Sequence, residues 1–183
     1  MGKLRKSAVI CLLISVILSV WYHLTFIKIL LPFAITFGTA AYHLVMRLLV
    51  GAGYNLIMRN QADYKKRRYQ TNRQEMMLYE WLKVKKWKSK MPTYDDLLFD
   101  PKRHTWEEII QSMCQAEQVH ESIAVLSFLP ITAGFWFGCF PVFIITSAAA
   151  ALVDMTFVVL QRYNRQRICE MLEKEKDNQD HEF

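Results

Sequence analysis

Residues 106–137 read WEEIIQSMCQAEQVHESIAVLSFLPITAGFWF, and their pattern changes part-way along. In the first half, Trp106, Ile109, Ile110 and Met113 recur at helical spacing, and Glu117 and His120 continue the same stripe. The second half, Ser122–Phe137, is an apolar run near the length that crosses a bilayer. The passage therefore predicts a helix that starts outside the membrane and runs toward a membrane segment. An acid and an imidazole three residues apart share one face of it at the membrane's edge. Thr105-x-x-Glu108 has the pattern of a capping box opening this helix.

Working outward, the same contrast divides the chain. Of 183 residues, 52% are apolar, yet mean hydropathy is only +0.07 because two populations average out. Ser7–Ile57 and Ser122–Leu160 are mostly apolar, whereas Asn60–Val119 and Gln161–Phe183 carry most of the charge. Four membrane helices follow, at Ala8–Tyr22, Ile27–Val50, Ser122–Phe137 and Val142–Leu160. The expected fold is all-α and polytopic, with two transmembrane hairpins and cytoplasmic amphipathic helices between them. Its segments are an N-terminal hairpin (1–57), a basic interfacial segment (58–119), a second hairpin with the candidate motifs (120–168) and a charged tail (169–183). A cleaved signal peptide is the alternative for Met1–Val20, with Lys3, Arg5 and Lys6 as its basic start. No small-x-small cleavage site precedes Trp21 and a second apolar run follows at once, which favours a retained helix.

Lys and Arg set the orientation. They crowd the N-terminus, the middle segment and the C-terminal segment, while the two short turns near His23–Lys28 and Gly138–Pro141 hold only Lys28. Both termini are expected in the cytoplasm of a multi-pass cell-membrane protein. The net charge of +6 then faces anionic headgroups or an anionic substrate. Nucleic acid is not an expected partner, because the basic residues are interleaved with Trp and Met beside membrane segments. Cys11, Cys114, Cys139 and Cys169 show no redox or metal-ligand spacing and are expected as free thiols. A zinc site from Glu117, His120 and His104 lacks a third ligand that anything fixes, so no metal is expected.

Two polar features stand inside apolar segments. His43 and Arg47 share a face near the cytoplasmic end of the second helix. They read either as an arginine reaching for headgroups beside an incidental histidine, or as a polar wall facing His120. Asp154 lies well inside the last helix, where burial is costly and points it into the bundle. Ser147, Asp154, Gln161 and Arg165 share one face of that helix. The stripe is either a packing hydrogen bond with its flanks, or a wall of the site with Asp154 as counter-charge for His120. In the middle segment, Gln74–Lys90 reads as an amphipathic helix. Met77, Leu78, Trp81, Leu82 and Val84 lie on one side, suited to the headgroup plane or to packing on the protein itself.

Three motifs carry a family resemblance. Trp81-Leu-Lys-Val-Lys-Lys-Trp-Lys-Ser-Lys90, Ala116-Glu-Gln-Val-His120 with Ser127-Phe-Leu-Pro130, and Gln161-Arg-Tyr-Asn-Arg-Gln-Arg167 occur in order across residues 76–168. Together they resemble the glycosyl-4,4'-diaponeurosporenoate acyltransferase family of bacterial membrane proteins. Gln166 stands where that family typically has proline, and Asp154 where asparagine is at least as usual.

The resemblance implies esterification of a sugar hydroxyl on a glycosylated carotenoid, the closing step of staphyloxanthin formation. A sugar hydroxyl needs a base within hydrogen-bond reach, and histidine is suited to that near neutral pH. His120 is the candidate base and Glu117 the carboxylate that would orient it. Direct attack on a thioester needs no enzyme nucleophile. Lys86, Trp87, Lys88 or Arg165 would donate to the oxyanion. Lys102, Arg103, Arg162 and Arg167 would hold the phosphates of an acyl-CoA co-substrate. Asp154, Gln161 and Asn164 complete the expected substrate contacts, and no cofactor is expected. The expected partners are membrane lipid, a glycosylated lipid or carotenoid acceptor and a fatty acyl donor. A non-catalytic lipid-binding scaffold and a small transporter subunit are the readings from other classes.

Overall fold

The computed structural model describes residues 2–87 and 99–180. Six α-helices appear among them, joined by turns and short 3-10 segments: α1 (Gly2–Thr25), α2 (Leu30–Met58), α3 (Arg73–Trp81), α4 (Trp106–Leu126), α5 (Gly134–Phe137) and α6 (Phe140–Asp180). No strand occurs among the described residues. Four segments are long and apolar enough to cross a membrane: Gly2–Thr25, Leu30–Met58, Trp106–Phe137 and Phe140–Glu175. The expected membrane segments are present, but three of the helices continue further into polar sequence. Helix α6 extends through the basic motif and much of the charged tail as one helix of 41 residues.

Internal contacts divide the chain into two units that interleave along the sequence. One comprises Met1–Gly53 with Glu121–Met155, the other Tyr54–His120 with Thr156–Phe183.

The first unit is built for lipid. Along α1 only Ala8 is buried, while Val9, Leu12, Leu13, Val16, Ile17 and Val20 face outward. In lipid, helix contacts rely on close backbone approach by small residues rather than on apolar burial. The buried positions Ala8, Ala34, Ala41, Ala124 and Ala151 follow that rule. Ser15 Oγ donates to the Ala34 carbonyl at 2.8 Å, and a Cβ at Gly38 would stand 2.9 Å from Ser15 Oγ. Tyr42 donates its hydroxyl to the Leu126 carbonyl at 2.9 Å. Pro130 marks why the third apolar run is not one helix. Helix α4 stops at Leu126, a 3-10 turn spans Leu129–Ala133, and α5 adds one further turn. Gly138 and Cys139, with φ of 65° and 51°, then reverse the chain into α6.

The second unit has two small cores. Tyr79, Val84, Leu160 and Tyr163 form one, with Met76, Trp87 and Val159 packed against it. Ala62, Tyr69 and Cys114 form the other. Helix α4 is capped as its sequence predicts: Thr105 Oγ1 accepts from the Glu108 amide at 3.3 Å, and Glu108 Oε2 from the Thr105 amide at 2.8 Å. A second capping box, between Asn72 and Glu75, opens α3.

Helix α3 is shorter than the expected 74–90 helix. It ends at Trp81 because Lys83 adopts a left-handed conformation (φ 53°), and a 3-10 turn at Val84–Lys86 follows. Its faces also differ from the sequence reading. Tyr79 and Val84 are buried, whereas Met77, Leu78 and Trp81 point outward. The expected apolar side thus splits between the protein and the surroundings. Residues 88–90 of that helix lie outside the described residues.

Candidate functional site

Helix α4 turns the stripe Ile109, Ile110, Met113 and Glu117 into the interior of the second unit. Glu117 is wholly buried, with no accessible surface. Facing it on α6 are Arg162 and Arg165, three apart and so on one side of that helix. Arg162 Nη1 donates to Glu117 Oε1 at 2.7 Å, and Arg165 Nη1 donates to Glu117 Oε2.

Both arginines also use their second terminal nitrogen. Arg165 Nη2 donates to the Tyr69 carbonyl at 2.6 Å, and its guanidinium lies 5.3 Å above the Tyr69 ring. Arg162 Nη2 donates to Glu75 Oε2 at 3.3 Å and to the Gln70 carbonyl at 3.4 Å. Tyr79 closes the chain by donating its hydroxyl to Glu75 Oε1 at 2.8 Å. Gln118 Nε2 donates to the Tyr69 hydroxyl. Two carboxylates thus balance two guanidiniums inside one network. That satisfies the usual condition for burying charge, a partner for every ion.

The network corrects two expectations. Glu117 spends one oxygen on each of two arginines, so its observed role is to bind α4 to α6 rather than to steer an imidazole. Arg165 is only 2% exposed and cannot present donors to an oxyanion, and the donors of Arg162 are held by Glu117 and Glu75. Asp154, in the first unit, is 1% exposed and forms an ion pair with Arg47.

His120 is half-buried, and its ring stacks on Phe157 with centroids 4.7 Å apart and planes 11° apart. Gln161 and Asn164 are half-buried on α6. Arg167 is exposed, with its guanidinium 5.7 Å from the Tyr163 ring centroid. Lys86 and Lys102 are exposed, Trp87 is half-buried, and Arg103 lies 3.6 Å from Asp100. Lys88 is outside the described residues. Among the described residues, no three His, Cys, Asp or Glu side chains group as metal ligands.

Tyr69 and its neighbours were not singled out by the sequence. The polar, basic stretch Gln61–Gln74 predicts a loop or a solvated helix, yet a 3-10 turn at Arg67–Tyr69 buries Tyr69 against Arg165. Tyr69, Gln118, Lys66 and Arg68 line a cleft of about 320 Å³. The only advance signal was an aromatic residue inside a basic run.

The model of the glycosyl-4,4'-diaponeurosporenoate acyltransferase family matches residues 60–174, well over half of the chain. The chain belongs to that family. No curated protein and no solved structure matches it. As a member of this acyltransferase family it carries Glu75, Glu117, His120, Arg162 and Arg165 within the matched region. His43 and Arg47 lie outside that region.

Outside the membrane segments, the groups that the network perturbs include Glu75 and Tyr79. Burial raises the pKa of the Glu75 carboxyl, but the Tyr79 hydrogen bond, the Arg162 charge and the Asn72 amide outweigh it, so the net shift is downward. Burial, then Glu75, pushes the Tyr79 phenol up to about 12. A lowered folded-state value means that ionised Glu75 stabilises the second unit above the ordinary glutamate range. That contribution is lost as pH falls through the folded-state value. Thermal melts taken from about pH 7 to about pH 3 should show this decline. Glu75→Gln should flatten it, and an unchanged slope would remove Glu75 from the network's energetics.

Proposed function

We propose that this protein transfers a fatty acyl group from a thioester donor to a sugar hydroxyl of a membrane-embedded glycoside, in the cytoplasmic half of the cell membrane with both termini inside. The family match over 60–174 carries the reading. The acceptor class follows from the family's name, a glycosylated carotenoid acid.

His120 acts as the general base. It takes the hydroxyl proton as the sugar oxygen bonds to the acyl carbon. The C–S bond then breaks, and the departing thiolate receives the proton. Phe157 holds the ring by stacking, and Glu117 positions α4 through the two arginines instead of touching the base. Half-buried Trp87 and exposed Lys86 remain the candidates for donation to the oxyanion. An acyl-CoA donor carries phosphates that need cations. Exposed Lys102, Arg103 and Arg167 serve that role, joined by Lys66 and Arg68 at the Tyr69 cleft. Gln161 and Asn164 are assigned to the sugar.

The test is reconstitution of the full chain in vesicles containing the glycosyl diaponeurosporenoate acceptor, with a fatty acyl-CoA added outside. The expected result is a product heavier by one acyl group, sensitive to alkaline hydrolysis. Recovery of unmodified acceptor from a folded, inserted protein, with every acyl thioester supplied, would overturn the proposal.

A further inference from the structure

The first unit holds a polar cluster that the acyl-transfer reading does not use. His43 sits 13 residues into α2 and Asp154 14 residues into α6. At 1.5 Å per residue, both lie about 20 Å from the Leu30 and Phe140 ends of their helices. They therefore meet at one level, inside segments long enough to cross a membrane. Arg47, one turn beyond His43, pairs with Asp154, and both charges act on the imidazole. The edge of the ring is guarded by Tyr42, whose centroid is 5.4 Å away.

His43 is 8% exposed, yet neither Nδ1 nor Nε2 has a hydrogen-bond partner, and the same is true of the buried Nε of Arg47. Buried polar atoms are nearly always paired, so an orphaned imidazole nine-tenths buried in a membrane segment points to a ligand. The stoichiometry indicates what kind. Arg47 and Asp154 neutralise each other, which disfavours an ionic ligand. A neutral imidazole offers one donor and one acceptor, and Arg47 Nε offers a donor. A carbonyl oxygen could satisfy only the donors. A hydroxyl can answer both types.

We propose that His43, beside the Arg47–Asp154 pair, binds the hydroxyl group of a membrane-dissolved lipid. The site lies mostly outside the family match, since α2 supplies two of its three residues. It is a binding site in its own right and does not depend on acyl transfer.

Photolabelling of the full-length protein in nanodiscs tests it. The probes are a long-chain alcohol bearing a diazirine and its methyl ether, which accepts but cannot donate. The alcohol should label peptides covering 39–50 and 147–155 about tenfold more than the ether does. Excess unlabelled dodecanol should remove that difference and dodecyl methyl ether should not. Competition by dodecyl glucoside as well would identify a carbohydrate hydroxyl, whereas competition by dodecanol alone would identify a simple lipid alcohol. His43→Phe, which keeps a ring and removes both nitrogens, should abolish the preference. Because the competition arm uses unaltered protein, it decides the matter even if His43→Phe fails to fold. Equal labelling by alcohol and ether, as when only water fills the site, would overturn the proposal, as would a preference that survives in folded His43→Phe.

Discussion

Glu117→Ala should destabilise the second unit by about 3–5 kcal/mol, the usual cost of removing one partner from a buried ion pair. The reason is asymmetry. Without the carboxylate, Arg165 keeps the Tyr69 carbonyl and its ring contact but no counter-ion of its own, in a place with 2% exposure. Arg162 would still hold Glu75. The loss should therefore concentrate where Arg165 reaches Tyr69, and hydrogen exchange of the 60–72 loop should accelerate. Glu117→Gln should cost less, because an amide oxygen still accepts one of the two bonds. The double variant Glu117→Leu with Arg165→Met should recover much of the loss, since replacing a buried pair by apolar residues of similar size is often near neutral. Detergent-resistance titrations followed by circular dichroism read all three. A Glu117→Ala protein as stable as the parent would show that the network contributes no net stability.

His120→Ala should behave in the opposite way. Losing a general base costs typically about 10²–10⁴ in rate. Losing the Phe157 stack costs only about 0.5–1.5 kcal/mol of stability. The variant should insert, fold and bind acceptor, with acyl transfer reduced by that factor in kcat and with KM little changed. His120→Gln is the sharper control. It keeps a planar polar side chain over Phe157 but cannot take the proton, so it should be as inactive as alanine. Activity restored by glutamine would make His120 a packing residue, and the base would have to be sought elsewhere. Comparing the two positions separates roles that the sequence places side by side: Glu117 variants should lose stability first, His120 variants rate first.

Much of the architecture follows from local pattern. The membrane segments at both ends, the Thr105–Glu108 cap and the inward face of α4 were readable because they depend on residues within a turn or two of each other. The burial of Asp154 was readable for the same reason, since an acid inside an apolar run has nowhere else to go. The length of α3 was not. Its apolar residues suggested continuation to Lys90, whereas the left-handed turn at Lys83 lets Val84 reach the core of Tyr79, Leu160 and Tyr163.

The amino-acid sequence by itself determined that Glu117 is buried and that arginines crowd the start of the polar part of α6. Only the tertiary structure decided that these belong to each other. The partners are 45 and 48 positions apart, and the Tyr69 carbonyl is 96 positions from Arg165. Periodicity reports which face of a helix turns inward. It carries no information about which charge waits there, because Coulomb attraction depends on distance in space and on the loss of water around the pair. The same physics paired Asp154 with Arg47, 107 residues away, and left the His43 ring without a hydrogen bond beside them.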